Sequence, residues 1–151
     1  MIKQLCHRAA VAEIEMRKLS TKVKNKILRE VAKALIAEQD DILEANKLDL
    51  ADGEKNGLSS ALLDRLALNP SRIKSMADSL EIIASFPDPI GEVVEGFRTE
   101  SGLSIEKVRA PLGVVAIIYE SRPNVTIDAA ALCLKSSNVT ILRGSSAALN
   151  S

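Results

Sequence analysis

Aromatic residues are nearly missing from this chain: Phe86, Phe97 and Tyr119 are all there are, and Trp is absent. Any core must therefore be aliphatic, built from Leu, Ile, Val and Ala. Excess charge of one sign is missing too. The 20 Lys and Arg offset the 20 Asp and Glu, so nothing points to nucleic acid or an anionic membrane as partner. No apolar run approaches the roughly 20 residues of a membrane span. The opening MIKQLCHRAAVAEIEMRK breaks its apolar character with charges and does not read as a signal peptide. Cysteine is scarce: Cys6 and Cys133 lie far apart and make no disulfide framework, so a reducing cytoplasm fits best. His7, the single histidine, has no ligand or acid partner at useful spacing, which leaves it a surface or packing role and no metal constellation.

The 151 residues amount to about one domain. A compact domain of that size buries roughly 70% of its unfolded surface, enough for a core. The first ninety or so residues read as helices. Leu5, Ala9, Ala12 and Met16 share one face of a first helix. Val23, Ile27, Leu28, Val31, Leu35 and Ile36 form a stripe on a second, which Ser20 or Thr21 can cap. Lys22, Lys24, Lys26 and Arg29 then fall on its solvated side. Asp41 and Glu44 resemble a capping box for a third helix carrying Ile42, Leu43 and Leu48. Asp52-Gly53 and Asn56-Gly57 mark its end. Leu62, Leu63 and Leu66 suggest a short fourth helix. Asn69-Pro70 starts a fifth, which buries Ile73, Met76, Ala77, Leu80 and Ile83 and stops at Pro87-Asp88-Pro89.

The pattern then changes. Residues 92–98 and 103–109 read as strands joined by Thr99-Glu100-Ser101-Gly102, a hairpin signal. The stretch PLGVVAIIYESRPNVTIDAAALCLKSSNVTILRG, residues 111–144, reads as strand, polar turn, helix and strand within one βαβ unit. Residues 114–119 are a continuous apolar run, as in a parallel strand buried on both faces. The run leads straight into Glu120-Ser121-Arg122-Pro123-Asn124. Ligands of open α/β sheets bind just past the carboxyl ends of strands, so this polar cluster is the candidate site. Residues 126–136 are the helix and 139–142 the second strand. Arg143-Gly144-Ser145-Ser146 reads as a turn into another helix begun by Ala147-Ala148-Leu149. Two parallel strands do not stand alone, so the sequence reads as the front part of something longer.

At these residues the chain closely resembles the gamma-glutamyl phosphate reductases, also called glutamate-5-semialdehyde dehydrogenases, a branch of the aldehyde dehydrogenase superfamily. The resemblance is carried by GLSIEKVRAPLGVVAIIYESRPNVTIDAAALCLKSSN, by ILRG, and by ILEANKLDLADGEKNGLSSALLDRLALNP in the helical lead. YESRPN is its most specific piece. The resemblance implies an incomplete α/β, Rossmann-like cofactor-binding domain: a helical lead at 1–88, a β-hairpin at 91–109 and the start of a parallel sheet at 111–151, with the substrate domain absent. It implies NADPH-dependent reduction of gamma-glutamyl phosphate to glutamate 5-semialdehyde with release of phosphate, in proline biosynthesis. A cysteine attacks the acyl phosphate in that chemistry, because a thiolate is both a good nucleophile and a good leaving group. Neither Cys6 nor Cys133 matches that nucleophile. Both read as small buried or half-buried hydrophobes, so the chain alone is expected to be inactive.

The same resemblance implies roles along the turn. Ile117, Ile118, Tyr119 and Glu120 would line the cofactor crevice, the isoleucines having core packing as an alternative. Ser121 and Arg122 would meet the substrate, since guanidinium is the usual partner of carboxylate and phosphate oxyanions. Arg122 could instead hold the turn in a salt bridge. Asn124 either caps the following helix or donates its amide to an oxyanion. Arg143 stands where the superfamily has a lysine on the cofactor ribose, and a cation there suits the 2′-phosphate of NADP(H). Ser145 and Ser146 follow it, where family members often have Gly-Lys. The full enzyme is expected to be a homo-oligomer. The alternative reading is a non-catalytic nucleotide-binding or interaction remnant of the enzyme. A third keeps the superfamily but changes the substrate to another acyl phosphate or an acyl-CoA.

Overall fold

The computed structural model describes residues 2–151. Five helices come first: α1 (Ile2–Met16), α2 (Thr21–Ala37), α3 (Gln39–Lys55), α4 (Ser60–Leu66) and α5 (Pro70–Ser85). A hairpin follows, β1 (Val93–Arg98) and β2 (Ser104–Val108), and then β3 (Val114–Ile118), α6 (Pro123–Lys135) and β4 (Val139–Arg143). The strands form two separate pairs, β1 with β2 antiparallel and β3 with β4 parallel. In the parallel pair Val114 stands beside Val139 and Ile118 beside Arg143. Helix α1 packs against both strands of that pair, and α6 against β4.

The core lies between α2, α5 and α6. Leu28, Ala32 and Leu35 of α2 meet Ile73, Met76, Leu80 and Ile83 of α5 and Ala131 of α6. All five expected core residues of α5 are buried. Its start is as expected: Pro70 is its first residue and the Asn69 side chain accepts the Arg72 amide at 2.8 Å. Ser20 caps α2 by accepting from the Val23 amide at 3.4 Å.

Several expectations fail, each for a physical reason. The buried stripe of α2 runs through Lys24, Leu28, Ala32 and Leu35, leaving Val23, Val31 and Ile36 exposed. Lys24 is not solvated: it is 1% exposed and ion-paired with Asp88 at 2.6 Å. Its ammonium also donates to the Lys135 carbonyl at 3.1 Å and to Ser137 Oγ at 2.9 Å. That bond satisfies a carbonyl at the end of α6, where a cation is favoured. Helix α3 has no capping box, because α2 runs into it through the single residue Glu38. It continues past Asp52-Gly53 and stops at Asn56. Leu58 and Leu63 pack closely against Gly53 inside the helix. A β-carbon there would stand 2.9 Å from Leu58 Cδ1. Leu48 is exposed, as are Leu5, Ala12 and Cys6 of α1; Ala9 is that helix's one buried residue.

Strand β3 is not buried on both faces. Val114 and Ile118 are exposed and only Val115 and Ile117 are half-covered, since β3 has a single strand neighbour. Residues 146–149 form a turn and a bend, not a helix. Asp49 of α3 draws the following segment onto itself, accepting from the Asn150 and Ser151 amides at 3.1 and 2.9 Å. Burial alone would raise the Asp49 carboxyl, but these bonds and those from both side chains hold it below its usual range.

Candidate functional site

The carboxyl ends of β3 and β4 are held level by one backbone bond, Tyr119 N–H to the Arg143 carbonyl at 3.1 Å. The other end of the pair is fixed by Asn138, whose Oδ1 accepts the Gly113 amide at 2.9 Å. Helix α6 reaches β4 through a tight turn. Ser137 takes φ +55 and the Asn138 amide bonds back to the Cys133 carbonyl at 2.7 Å, the left-handed helix stop usually made by Gly.

Between β3 and α6 lies the polar turn. Ser121 is buried and takes φ +45, a region where non-glycine residues are uncommon and where strain gathers at functional turns. Its amide donates to Ser145 Oγ at 3.3 Å, and the Ala147 amide donates to the same oxygen. Ser145 thereby ties the turn after β3 to the turn after β4. The Tyr119 hydroxyl lies 2.5 Å from Thr126 Oγ1 on the first turns of α6. Tyr119, Ser121, Arg143 and Ser145 are thus gathered at the strand ends. Ile118 and Arg143 are exposed there, Ile117 is half-buried, and Glu120 and Ser146 are exposed.

Arg122 and Asn124 go elsewhere. Arg122 sits at φ −141, kept out of the helical region by Pro123. Helix α6 begins at Pro123, three residues earlier than expected, so Asn124 lies inside its first turn. Asn124 therefore does not cap the helix; no side chain does. Its amide instead donates to Asp128 Oδ2 at 3.3 Å. Both residues line a cleft of about 340 Å³ between α6 and the α4–α5 corner, together with Arg65, Arg72, Met76 and Asp128. The contribution of α4 and α5 was missed by sequence reasoning, which treated them only as core helices. Arg65 and Arg72, cations flanking Asn69-Pro70, were the available signal.

No thiol belongs to this site. Cys133 is buried ten residues along α6 from Pro123, roughly 15 Å at the helical rise, and Cys6 is exposed on α1. Among the described residues no group of His, Cys, Asp and Glu could hold a metal. None of the helices is long and apolar enough to cross a membrane.

A parallel βαβ unit with a polar, strained turn at its strand ends defines the class: an α/β protein, the architecture whose ligands bind at the carboxyl edge of the sheet. No family profile matches the chain, but individual proteins do. It is 54% identical over 144 residues to the gamma-glutamyl phosphate reductase of Heliobacterium modesticaldum, covering 95% of this chain and 34% of that protein. It is 56% identical over 133 residues to that of Sulfurimonas denitrificans, covering 88% and 32%. The crystal structure of gamma-glutamyl phosphate reductase from Thermotoga maritima matches at 42% identity and TM-score 0.91, over 95% of this chain and 35% of that one. The Saccharomyces cerevisiae structure matches at 34% identity and TM-score 0.93, over 97% and 38%. Over the length it has, the chain belongs to the gamma-glutamyl phosphate reductase family. It spans about a third of the length of the curated relatives it matches.

Proposed function

We propose that this chain is the N-terminal portion of an NADPH-dependent reductase. The enzyme converts gamma-glutamyl phosphate to glutamate 5-semialdehyde and phosphate in proline biosynthesis, in the cytoplasm, and acts as a homo-oligomer. The observation that carries the reading is the 47–56% identity to proteins of that name along 88–100% of the chain. The strand-end turn supports it. Arg143 makes no ion pair among the described residues, so its guanidinium is available to a cofactor phosphate. Ile117, Ile118, Tyr119, Glu120, Ser145 and Ser146 stand on or beside the same edge and would complete this side of the crevice. NADPH, when bound, supplies the hydride. The Ser121–Ser145 bond keeps the two turns in register so that Tyr119 and Arg143 face one ligand.

The substrate end of the reading rests on Ser121, Arg122 and Asn124, with Asn124 the candidate oxyanion donor. The acyl-transferring thiolate is not among this chain's two cysteines, so the 151 residues alone are inactive. NADP reduction with glutamate 5-semialdehyde and phosphate, measured on the protein expressed from its own gene, tests the reading. Turnover with NADP in clear preference to NAD supports it. Absence of turnover with both cofactors overturns it in favour of a non-catalytic remnant.

A further inference from the structure

The cleft between the α4–α5 corner and α6 holds charges that the cofactor edge does not use. Two of its ions are spent on each other. Arg72 Nη2 pairs with Asp64 Oδ1 at 2.9 Å, and Arg72 Nη1 donates to the Asp64 and Ala67 carbonyls. That network fixes the corner between the helices. Three ions are left over. Arg65 and Arg122 have no carboxylate partner among the described residues, and Asp128 has no cation. Asp128 is held only by Asn124 Nδ2 at 3.3 Å. The Met76 and Leu68 side chains supply an apolar wall. A volume of about 340 Å³ is at the small end of ligand sites and suits an amino acid, not a dinucleotide.

Two unpartnered guanidiniums beside one unpartnered carboxylate complement a ligand with one ammonium and two anionic groups. We infer that this cleft holds an acidic amino acid: Asp128 takes the α-ammonium, Arg65 takes the α-carboxylate, and Arg122 takes the second anionic group. Asn124 orients Asp128 with one of its two amide hydrogens, leaving the other for the oxyanion role, and the apolar wall follows the side-chain methylenes. The choice of a glutamyl compound rests on the proposed reductase function; the need for both charges rests on the cleft alone.

Titration calorimetry on the protein expressed from its own gene tests this, with L-glutamate, glutarate and 4-aminobutyrate as probes. L-glutamate is expected to bind about tenfold or more tightly than glutarate, which lacks the ammonium, and than 4-aminobutyrate, which lacks the α-carboxylate. Asp128→Asn should abolish the preference over glutarate and leave that over 4-aminobutyrate. Arg65→Met should do the reverse, with Arg65→Lys restoring part of it. The inference is overturned if L-glutamate does not bind, if the three probes bind alike, or if the variants, folded by circular dichroism, keep both preferences. A protein that turns over glutamate semialdehyde without this pattern keeps the reductase reading and loses the subsite. The pattern without turnover does the opposite.

Discussion

Helix α5 and the β1–β2 hairpin are both rich in apolar side chains, and the structure treats them in opposite ways. Ile73, Met76 and Leu80 of α5 are 0–5% exposed, whereas Val93, Val94, Phe97, Ile105 and Val108 of the hairpin are 43–56% exposed. The difference is partners. Helix α5 offers one continuous face to α2 and α6. The hairpin has no comparable partner among the described elements and is held by its ladder and by cross-strand pairs such as Phe97 with Ile105. Apolar content does not place a residue in the core; a second surface of matching shape does. An isolated two-stranded hairpin is marginal in water, so stability should be steeply uneven along the chain.

The largest effect expected is at the polar heart of the helical region. Lys24 is almost fully buried, and its one carboxylate partner is Asp88. Removing a partner from a buried ion pair typically costs roughly 3–5 kcal/mol, because the remaining charge stays behind. Asp88→Asn should lower the urea midpoint by that much stability with an unchanged slope; a loss below 1 kcal/mol would mean that Lys24 reaches water. The pair also sets a pH dependence. Burial raises the Asp88 carboxyl, but bonds from Lys24, Thr21 and the Ile90 amide prevail and hold it below its usual value. A depressed folded pKa adds stability above the unfolded carboxylate value of about 4. That contribution fades as pH falls through the lower, folded value. Lys135 acts in the same direction, over the pH range of an ammonium. Burial lowers its ammonium, aided by Lys24 and Arg29 against Asp88, so its share of stability rises with pH between the folded and unfolded values. Urea titrations from pH 2 to 7 should show an acid loss in the native protein that Asp88→Asn flattens.

Next comes the apolar side of the same region. Leu80 is 1% exposed in the middle of the α2–α5–α6 contact. Leu80→Ala is expected to cost about 2–5 kcal/mol, read as a shift in urea midpoint. A smaller effect falls at the end of the same helix: Asn69→Ala removes the bond to the Arg72 amide and should cost about 1 kcal/mol. If Asn69→Ala cost more than Leu80→Ala, the core would be closing around the cavity far better than its packing suggests.

These two substitutions also mark where the sequence was readable. Helix α5 was legible throughout, because its cap, its Pro and its apolar period are all local. Helix α2 was legible as a helix, but its buried face was not. The burial of Lys24 depends on Asp88 and Ser137, which the 3.6-residue period cannot see. Strand β3 read as doubly buried because apolar runs carry no count of neighbours. In the strand-end half of the candidate site, the turn from Tyr119 to Ser121 followed from the βαβ pattern, and Arg143 and Ser145 from the family resemblance. The side wall from Arg65 to Met76 did not, since its approach to Asn124 and Asp128 is a tertiary event. Asn124 is no cap for a simpler reason: a cap there needs a helix that starts at residue 125, and Pro123 opens it two residues earlier, which makes Arg122, with no accepting side-chain oxygen, the cap residue.

The smallest effect sharpens the comparison most. Phe97 is 56% exposed, and it stands opposite Ile105 in the ladder. Phe97→Ser should therefore change global stability by no more than about 0.5 kcal/mol, as for an ordinary surface site. Amide hydrogen exchange should agree: β1 and β2 amides exchange through local opening, at rates that the Leu80→Ala change leaves alone, while α5 amides follow the global loss. A markedly larger penalty for Phe97→Ser that grows with protein concentration would mean that a second copy covers the hairpin. Its apolar side chains would then have the partner surface that α5 finds within its own chain.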